Sequence, residues 1–380
     1  MWISDVRRPM FAATLCVVFL PILASAQQYH RTDLTTNSSA VSSSAPNVDT
    51  NLVNAWGMAR GSGSPWWISD NGTGLTTVYD GAGVPFVPPG ATQPLVVKIA
   101  TPDGTGTATP TGAVFNATSA FLVGPGAKAI FLFVTEDGTI SGWNPGVDPA
   151  NTVIVKNRAG KAVYKGCAIA NSWSGPRFYA TNFQSGRVEV FDGNFGRVES
   201  PGGDHDRDHS AFRIPGLSRD YAPFNIQNVG GNLVVTFAHR TPGSLDEDHG
   251  AGLGFVGVFS PTGRLLQKLE HGPWFNAPWG IALAPGDFGK FTHHFLIGNF
   301  GDGTVNAFNL VTGKHEGTML DDTTGQTLVI DGLWGLSFGG DSPNNGMATS
   351  LYFTAGPNDE GDGLFGRLTA ASPEQPGNSE

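Results

Sequence analysis

The sequence has little charge, and beyond its N-terminus it has no long basic or apolar run. Only 14% of its 380 residues are charged, against about 25% in an average soluble protein. The net charge is −10, and no run of Lys and Arg is longer than Arg7-Arg8. Because neutralising phosphates needs a basic stripe, this composition argues against nucleic-acid binding.

Cysteine is also scarce, with only Cys16 and Cys167 present. Cys16 lies in an N-terminal segment that we expect to be removed, so no internal disulfide is predicted for the remainder. Cys167 lies in the apolar run YKGCAIA and is interpreted as a small buried hydrophobic residue rather than a nucleophile. Without disulfides, the chain must be stabilised by a large core.

The N-terminal residues have the pattern of a secretory signal. Arg7-Arg8 forms a positive region, residues 11–23 are apolar, and Ala24-Ser25-Ala26 is a small-residue cleavage site. The apolar stretch is shorter than the roughly 18 residues of a membrane-spanning helix. We therefore predict a signal peptide over residues 1–26, secretion to the periplasm or the extracellular space, and no membrane association after cleavage. The alternative is a retained membrane anchor.

Glycine, by contrast, is abundant and regularly placed. Six short apolar segments, spaced 54–59 residues apart, each centre on a glycine or, once, an asparagine. The centres are Gly57, Gly112, Gly166, Asn225, Gly280 and Gly335. Each is followed by an apolar run, a turn such as Asp302-Gly303, and a further strand-like run such as residues 186–191. With a fourth strand in each unit, this pattern predicts an all-β fold, a six-bladed β-propeller with four-stranded blades.

The repeat also predicts the boundaries and the closure of the ring. The propeller should span residues 27–368, with blades starting near residues 52, 109, 163, 222, 277 and 332. The sixth unit lacks a fourth strand, because residues 369–380 form a polar tail with two prolines. Residues 29–36 alternate like a strand and are unassigned, so we predict that they complete the last blade and remove an open edge.

Five local phrases are distinctive in combination. They are APFNIQN (222–228), NAPWG (276–280), GNFGDG (298–303), DGLWGL (331–336) and LYFTAGP (351–357). Together they resemble an uncharacterised family of exported bacterial β-propellers related to NHL-repeat proteins. The resemblance extends from Tyr29 to Leu368 and implies a six-bladed propeller without implying an activity. Many members of that family carry a C-terminal sorting tail, whereas no apolar anchor follows Leu368 here.

In a propeller, the entries to the first strands and the turns between second and third strands share one face of the central channel. The polar and aromatic residues that map there are Asn54, Trp56, Asp70, Asn71, Glu136, Lys165, Asn182, His239, Trp279, Asn299 and Trp334. Tryptophan together with amide side chains is a common means of binding sugars or aromatic small molecules. Each of these residues could instead have a purely structural role. The Asn and Asp residues could form turns, the tryptophans could pack between blades, and His239 could be a structural histidine with its hydrogen bonds satisfied.

Metal binding is a weaker possibility in this sequence. Asp204, Asp206 and Asp208 alternate like the opening of a calcium loop, but His209 and Pro215 replace its required Gly and Glu. A solvated acidic loop is the preferred interpretation, and residues 246–249 give a similar, weaker match. Separately, Asp70, Glu136, Asn182 and Asn299 could hold one Ca²⁺, as in calcium-dependent lactonase propellers, by analogy of fold alone.

No catalytic motif is present: the sequence has no G-x-S-x-G, H-E-x-x-H or P-loop pattern. We therefore expect a secreted, monomeric, non-enzymatic propeller without a cofactor that binds a small molecule, glycan or protein on its channel face. One alternative is a calcium-dependent, lactonase-like hydrolase or lyase that uses channel carboxylates and His239. Another is a protein-interaction scaffold that uses the long loops at residues 201–210 and 241–252.

Overall fold

The computed structural model describes residues 28–198 and 211–371. The predicted signal peptide lies outside these ranges, as do Asp204, Asp206 and Asp208 and most of the C-terminal tail. Across the described part of the chain, no helix is long and apolar enough to cross a membrane.

The described residues form strands joined by turns, with a single 3₁₀ turn at Gly289–Phe291. The strands before and within the first three blades are β1 (Gln28–Thr36), β2 (Asn47–Val48), β3 (Ala55–Ala59), β4 (Trp66–Asp70), β5 (Leu75–Tyr79), β6 (Val96–Lys98), β7 (Pro110–Phe115), β8 (Leu122–Gly124), β9 (Ala127–Lys128), β10 (Phe131–Thr135), β11 (Thr139–Trp143), β12 (Val153–Asn157), β13 (Tyr164–Ser172), β14 (Gly175–Asn182), β15 (Arg187–Phe191) and β16 (Arg197–Val198). The remaining strands are β17 (Tyr221–Val229), β18 (Asn232–His239), β19 (Gly254–Phe259), β20 (Leu265–Lys268), β21 (Pro278–Leu283), β22 (His294–Asn299), β23 (Val305–Asn309), β24 (His315–Thr318), β25 (Leu320–Asp321), β26 (Leu333–Phe338), β27 (Leu351–Ala355) and β28 (Leu364–Ala370).

These strands form six antiparallel blades. Blades 1 to 5 are β3-β4-β5-β6, β7-β10-β11-β12, β13-β14-β15-β16, β17-β18-β19-β20 and β21-β22-β23-β24, with β8 and β9 a small separate hairpin. Blade 6 is β26-β27-β28-β1, extended by short parallel pairings of β2 and β25 with β1. The predicted six-bladed propeller of four-stranded blades is confirmed.

The predicted N-terminal closing strand is also confirmed. Strand β1 pairs antiparallel with β28, from Tyr29 opposite Ala370 to Thr36 opposite Leu364. The ring of Tyr29 is buried against Phe288 and Phe291, and its hydroxyl donates to the Phe288 carbonyl at 3.2 Å. The two ends of the propeller are therefore joined by a full strand pairing and by side-chain packing onto blade 5.

Apolar side chains are buried mainly between neighbouring blades. Separate clusters of buried residues fill the seams between successive blades, and one further cluster fills the channel itself. Cys167 lies on β13 in the seam cluster of blades 2 and 3, where burial raises the pKa of its thiol. It is a buried, free thiol, as its apolar surroundings in the sequence indicate.

The repeated glycines lie where the inner strands of adjacent blades come closest. A Cβ atom on Gly112 would lie 2.7 Å from the Cys167 nitrogen and 2.9 Å from the Gly166 Cα. A Cβ atom on Gly280 would lie 2.8 Å from the Trp334 carbonyl oxygen. These distances leave no room for a side chain, so the close approach of inner strands requires glycine.

Blade 4 has Asn225 at the equivalent position, and its side chain links two blades. The Asn225 amide Nδ2 donates to the Trp279 carbonyl at 2.8 Å, and its Oδ1 accepts from the Ile226 backbone N–H. Threonine hydroxyls make comparable links elsewhere. Thr111 donates to the Tyr164 carbonyl at 2.8 Å, and Thr181 donates to the Phe224 carbonyl at 3.0 Å. Hydrogen bonds therefore tie the inner strands to each other as well as to their own blades.

Every blade has a register shift between its first and second strands. In blade 1 it falls between Ala55 and Met58, and in blade 3 between Tyr164 and Gly166. The other four blades show the same irregularity. Such bulges re-aim the side chains beside them, and here they fall near the channel mouth where the inner strands begin.

The crowding at the axis gives a direct test. Replacing Gly112 with Ala should lower the free energy of unfolding by roughly 1–3 kcal/mol, because the added methyl overlaps the backbone of blade 3. Gly63→Ala is the matched control, since a Cβ there meets nothing within 4 Å, and it should be neutral or slightly stabilising. Urea denaturation followed by circular dichroism measures both, and equal stabilities would contradict the crowding.

Candidate functional site

At the channel end where the inner strands begin, all six blades contribute to a cavity of about 350 Å³. Its wall residues are Trp56, Asn71, Glu136, Lys165, Asp246, Glu247, His249, Phe300, Asp359 and Glu360. Trp56 and Lys165 lie on the inner strands β3 and β13, and the others lie in the turns and loops that follow second strands. This agrees with the expectation that strand entries and these turns share one face.

A stack of three aromatic rings forms the floor of the cavity. Trp334 is sandwiched between Trp56 and Phe300, with ring centroids 3.7 Å and 3.8 Å away. Trp279 contacts the edges of this stack and donates its indole N–H to the Lys165 carbonyl at 3.0 Å. Trp279 also lines a second cavity of about 310 Å³ at the other end of the channel. The aromatic cluster therefore lies between two separate cavities.

Asn54 connects this floor to the polar wall. Its Oδ1 accepts from the Trp334 indole N–H at 3.0 Å, and its Nδ2 donates to Asn71 at 3.3 Å and to Glu360 at 2.9 Å. Asn71 in turn donates to Glu136 Oε2 at 2.9 Å. A continuous hydrogen-bond network thus runs from the buried tryptophan to the carboxylates of the wall, which fixes their positions.

Lys165 is the buried cation at the centre of the wall. Its side chain is 1% exposed, and Nζ lies 2.7 Å from Glu136 Oε1 and 3.1 Å from Asp246 Oδ1. Nζ also lies 5.1 Å from the centroid of the Trp56 ring. Burial alone would lower the pKa of Lys165, but Glu247, Glu136 and Asp246 outweigh it and raise that pKa above its ordinary value. The ammonium group is therefore charged at neutral pH.

Glu247 lies between Lys165 and His249 without a close bond to either. Its side chain is 6% exposed, with Oε2 3.7 Å from Lys165 Nζ and Oε1 3.8 Å from His249 Nε2. Within the described residues, Oε2 is buried and has no hydrogen-bond partner. The nearby Glu247 carboxylate raises the pKa of His249, although burial opposes it. A buried carboxylate oxygen without a donor is costly, and the Glu247 residue lines the cavity.

A left-handed turn presents the last two acidic residues. Asn358, Asp359 and Glu360 have φ values of 57°, 51° and 63°, a conformation that costs roughly 1–2 kcal/mol for each non-glycine residue. The turn is held by hydrogen bonds, including one of 3.0 Å from the Asn358 N–H to Asp331. Burial raises the pKa of Glu360, and the charges of Glu247 and Glu136 raise it further. Strain of this kind is concentrated at functional sites.

The structure brings several predicted site residues together. Trp56, Asn71, Glu136 and Lys165 line the cavity, and Asn54, Trp279 and Trp334 support it from below. His239 lies outside the cavity. Its Nδ1 pairs with Asp248 Oδ2 at 2.7 Å, and it holds the base of the loop at residues 241–252 that carries Asp246, Glu247 and His249 into the channel.

Asp70, Asn182 and Asn299 do not face the cavity, contrary to expectation. All three are fully buried inside their own blades. Asn182 donates to the Lys161 carbonyl at 3.2 Å, and Asn299 donates to the Trp274 carbonyl at 2.8 Å. Of the four residues considered as a calcium set, only Glu136 lines the cavity. Among the residues that the structure describes, no group of three His, Cys, Asp or Glu side chains is placed to hold a metal ion.

Sequence reasoning missed six wall residues: Asp246, Glu247, His249, Phe300, Asp359 and Glu360. The Asp246–His249 run was noticed only as a weak calcium match and as a scaffold loop. Asp359 and Glu360 follow the second strand of blade 6, the position that Asn71 and Glu136 occupy in blades 1 and 2. Applying that rule to the sixth repeat would have identified them.

The fold and the site together define a six-bladed β-propeller whose channel is closed by aromatic residues and has an acidic cavity at one end. No protein-family profile matches the sequence. It is 31% identical over 332 residues to the uncharacterised protein R648 of Acanthamoeba polyphaga mimivirus, covering 85% of this chain and 76% of that protein. It is equally similar, at 31% over 336 residues, to the mimivirus protein L690, covering 85% and 82% of the two chains. The chain belongs to the family of these proteins.

These relatives correct the expected source of the family, and the similar solved structures support the fold alone. The resemblance in the sequence pointed to bacterial proteins, whereas R648 and L690 are viral. Among solved structures, a streptogramin B lyase matches with a TM-score of 0.50 and 11% identity, over 91% of this chain and 99% of that one. A Bacteroides thetaiotaomicron protein of unknown function matches with a TM-score of 0.50 and 8% identity, over 84% and 70%. Identities this low show the propeller fold alone.

The buried Asp70 predicts an unusual pH dependence of stability. Its two oxygens have no hydrogen-bond partner of normal geometry within the described structure. Burial raises the pKa of Asp70 well above its ordinary value, and the neighbouring Thr77 offsets this only in part. Between those two pKa values the folded state holds a proton that the unfolded state lacks, so stability falls as the pH rises. Asp70→Asn removes the charge, and we expect it to stabilise the protein by about 1–3 kcal/mol at pH 7, with a smaller gain at pH 4.

Thermal melts of the wild type and Asp70→Asn from pH 4 to pH 8 measure this effect. Asp103→Asn serves as the control, because hydrogen bonds with Thr105 lower the pKa of this exposed carboxyl and its replacement should bring no gain. A loss of stability in Asp70→Asn at pH 7 would show that the carboxylate has a stabilising partner.

We expect Lys165 to raise the free energy of unfolding at neutral pH. Lys165→Met leaves Glu136, Asp246 and Glu247 close together without their shared cation. Removing one member of a buried pair costs about 3–5 kcal/mol, and we expect about 2–3 kcal/mol here because Glu136 and Asp246 keep contact with solvent. Lys314→Met, on the exposed surface, should change stability by less than about 0.5 kcal/mol. Urea denaturation at pH 7 and pH 5 measures the stability of both variants. A Lys165→Met variant as stable as the wild type would refute the stabilising role of Lys165.

Proposed function

We propose that this protein is a secreted, monomeric propeller that binds a small molecule in the cavity on its channel face. The observation that carries the proposal is the Glu247 side chain. It is almost completely buried, its Oε2 has no hydrogen-bond partner in the described structure, and it lines the cavity. A ligand that donates a hydrogen bond to the Glu247 carboxylate would supply what this side chain lacks.

The rigid surroundings of Glu247 support the same function. The Asn54–Asn71–Glu136 network and the three-ring stack hold the wall and the floor in place. The turn at Asn358–Glu360 keeps three residues in a strained conformation at the mouth. A site whose polar groups are fixed in advance loses less entropy when it binds.

Size favours a small molecule over a long glycan or a protein. The cavity of about 350 Å³ falls in the usual range for small-molecule sites, roughly 300–1,000 Å³. The loop at residues 241–252, which could have served a scaffold, is folded into the channel mouth. It is held there by the His239–Asp248 pair and by the Gly250 N–H, which donates to Asn276 at 2.7 Å.

Acid–base catalysis on the bound molecule is a second candidate function. His249 and Glu360 both line the cavity, and their surroundings raise the pKa of each. A raised pKa brings a carboxyl group toward the range in which it can donate a proton near neutral pH. A hydrolase or lyase of this kind would use His249 rather than His239, which lies outside the cavity.

A thermal-shift screen tests the binding function. The full-length protein should be stabilised by at least one compound from a panel of monosaccharides, amines, carboxylates and CaCl₂, because a ligand of the folded state raises the melting temperature. The shift should be lost in Glu247→Gln, which keeps the shape of the side chain and removes its charge. Glu316→Gln, on the exposed strand β24, is the matched control and should respond like the wild type.

Two outcomes would count against the proposal. A panel in which no compound shifts the melting temperature would reject small-molecule binding in this cavity. Hits that persist unchanged in Glu247→Gln would place binding elsewhere. For the catalytic candidate, any hit is incubated with the wild type and with His249→Gln and analysed by mass spectrometry. Conversion by the wild type alone would support catalysis, and recovery of intact compound from both would leave binding as the function.

A further inference from the structure

The walls of the channel cavity carry far more negative than positive charge. Five carboxylates line it, and the only basic side chains among its described wall residues are Lys165 and His249. Lys165 lies 2.7 Å from Glu136, 3.1 Å from Asp246 and 3.7 Å from Glu247, so three carboxylates share its one positive charge. Asp359 and Glu360 add two further acidic groups, against the single imidazole of His249. Such a site attracts cations and repels anions.

The carboxylates of the wall also differ in how many hydrogen-bond donors they receive. Glu136 receives donors at both oxygens, from Lys165 and Asn71. Glu360 receives one donor, Asn54. Glu247 Oε2 is buried and receives none from the described residues. The pKa of Glu360 is raised by burial and then by its acidic neighbours, which is the response of a carboxyl group in a site short of positive charge. A cation that also donates hydrogen bonds would suit these carboxylates.

The surroundings favour an organic cation over a metal ion. In the described chain, no three His, Cys, Asp or Glu side chains are close enough together to hold a metal. The partly buried ring of Phe300 and the ring of Trp56 belong to the same cavity, and aromatic rings suit the apolar body of an organic molecule. At roughly 30 Å³ for a water-sized group, a 350 Å³ cavity has room for on the order of ten non-hydrogen atoms.

We propose that the cavity binds a small organic cation whose primary ammonium or guanidinium group pairs with the acidic wall to which Glu247, Asp359 and Glu360 belong. This inference rests on the proposed binding function and specifies its ligand class. Ammonium and guanidinium groups provide several N–H donors, whereas a quaternary ammonium provides none. Small carboxylates and phosphates are disfavoured because they would meet the same excess of negative charge.

The test uses pairs of probes that differ mainly in charge. Putrescine is compared with 1,4-butanediol, and glucosamine with glucose, each by isothermal titration calorimetry on the full-length protein at pH 7. Glutarate and CaCl₂ represent anions and a divalent metal. We expect putrescine or glucosamine to bind at least ten times more tightly than its neutral counterpart, and the affinity to fall when NaCl is raised to 0.5 M.

Variants locate the binding. Glu247→Gln and Glu360→Gln should each weaken the amine at least tenfold, while Glu316→Gln leaves it unchanged. Both site variants are first checked for a cooperative melt. Glu360 lies in the turn and is not one of the carboxylates paired with Lys165. Glu360→Gln therefore still tests the proposal if Glu247→Gln does not fold.

Each other outcome overturns a defined part of the inference. Equal binding of the neutral and charged probes, lost in Glu247→Gln, would reject the cation while leaving small-molecule binding intact. Binding of CaCl₂ or glutarate alone, with the same dependence on Glu247, would also reject an organic cation. An amine affinity that is unchanged in both Glu247→Gln and Glu360→Gln would show that the amine binds outside this cavity. No binding by any probe, together with an empty thermal-shift screen, would reject the binding function itself.

Discussion

The close approach of six inner strands around one axis is the constraint on which this structure depends. Neighbouring inner strands touch so closely that five of the six central positions are glycine, and a Cβ atom at Gly112 or Gly280 would overlap the next blade. The sixth position, Asn225, keeps its side chain by bonding across to blade 5. Because the strands are this close, hydroxyl and amide side chains donate hydrogen bonds to backbone carbonyls of the next blade. The seams between blades can then be filled with apolar side chains.

The same crowding determines what the channel can contain. Apart from Asn225, the central positions carry no side chain, so the other channel side chains lie toward the two ends. At the end where the strands begin, the rings of Trp56, Trp334 and Phe300 stack over the narrowest part. The ammonium group of Lys165 lies against this stack and draws carboxylates from blades 2 and 4 toward it. The acidic cavity is therefore a consequence of how the narrow axis is closed.

Most of the fold could be predicted from the sequence, because it rests on a repeat. The 54–59-residue spacing of glycine-centred segments indicated six blades, and the missing fourth strand of the last unit indicated β1. The site was only partly predictable. Trp56, Asn71, Glu136 and Lys165 follow from their places at strand entries and turns. Asp70, Asn182 and Asn299 end the second strands of their blades, beside the register shifts. A bulge re-aims the neighbouring side chains, and no pattern of residue types in one sequence reveals that direction.

The pairing of β1 with β28 has a consequence for the order in which the chain can fold. Blades 1 to 5 are each built from consecutive segments and can form as soon as those segments are available. Blade 6 needs β1 from the beginning of the propeller and β26 to β28 from its end. The segments of the other five blades lie between these two parts in the sequence. Joining such distant segments adds a loop-closure cost and raises the contact order, which slows folding. During synthesis, β1 therefore remains without its main partner, β28, until every other blade has been made.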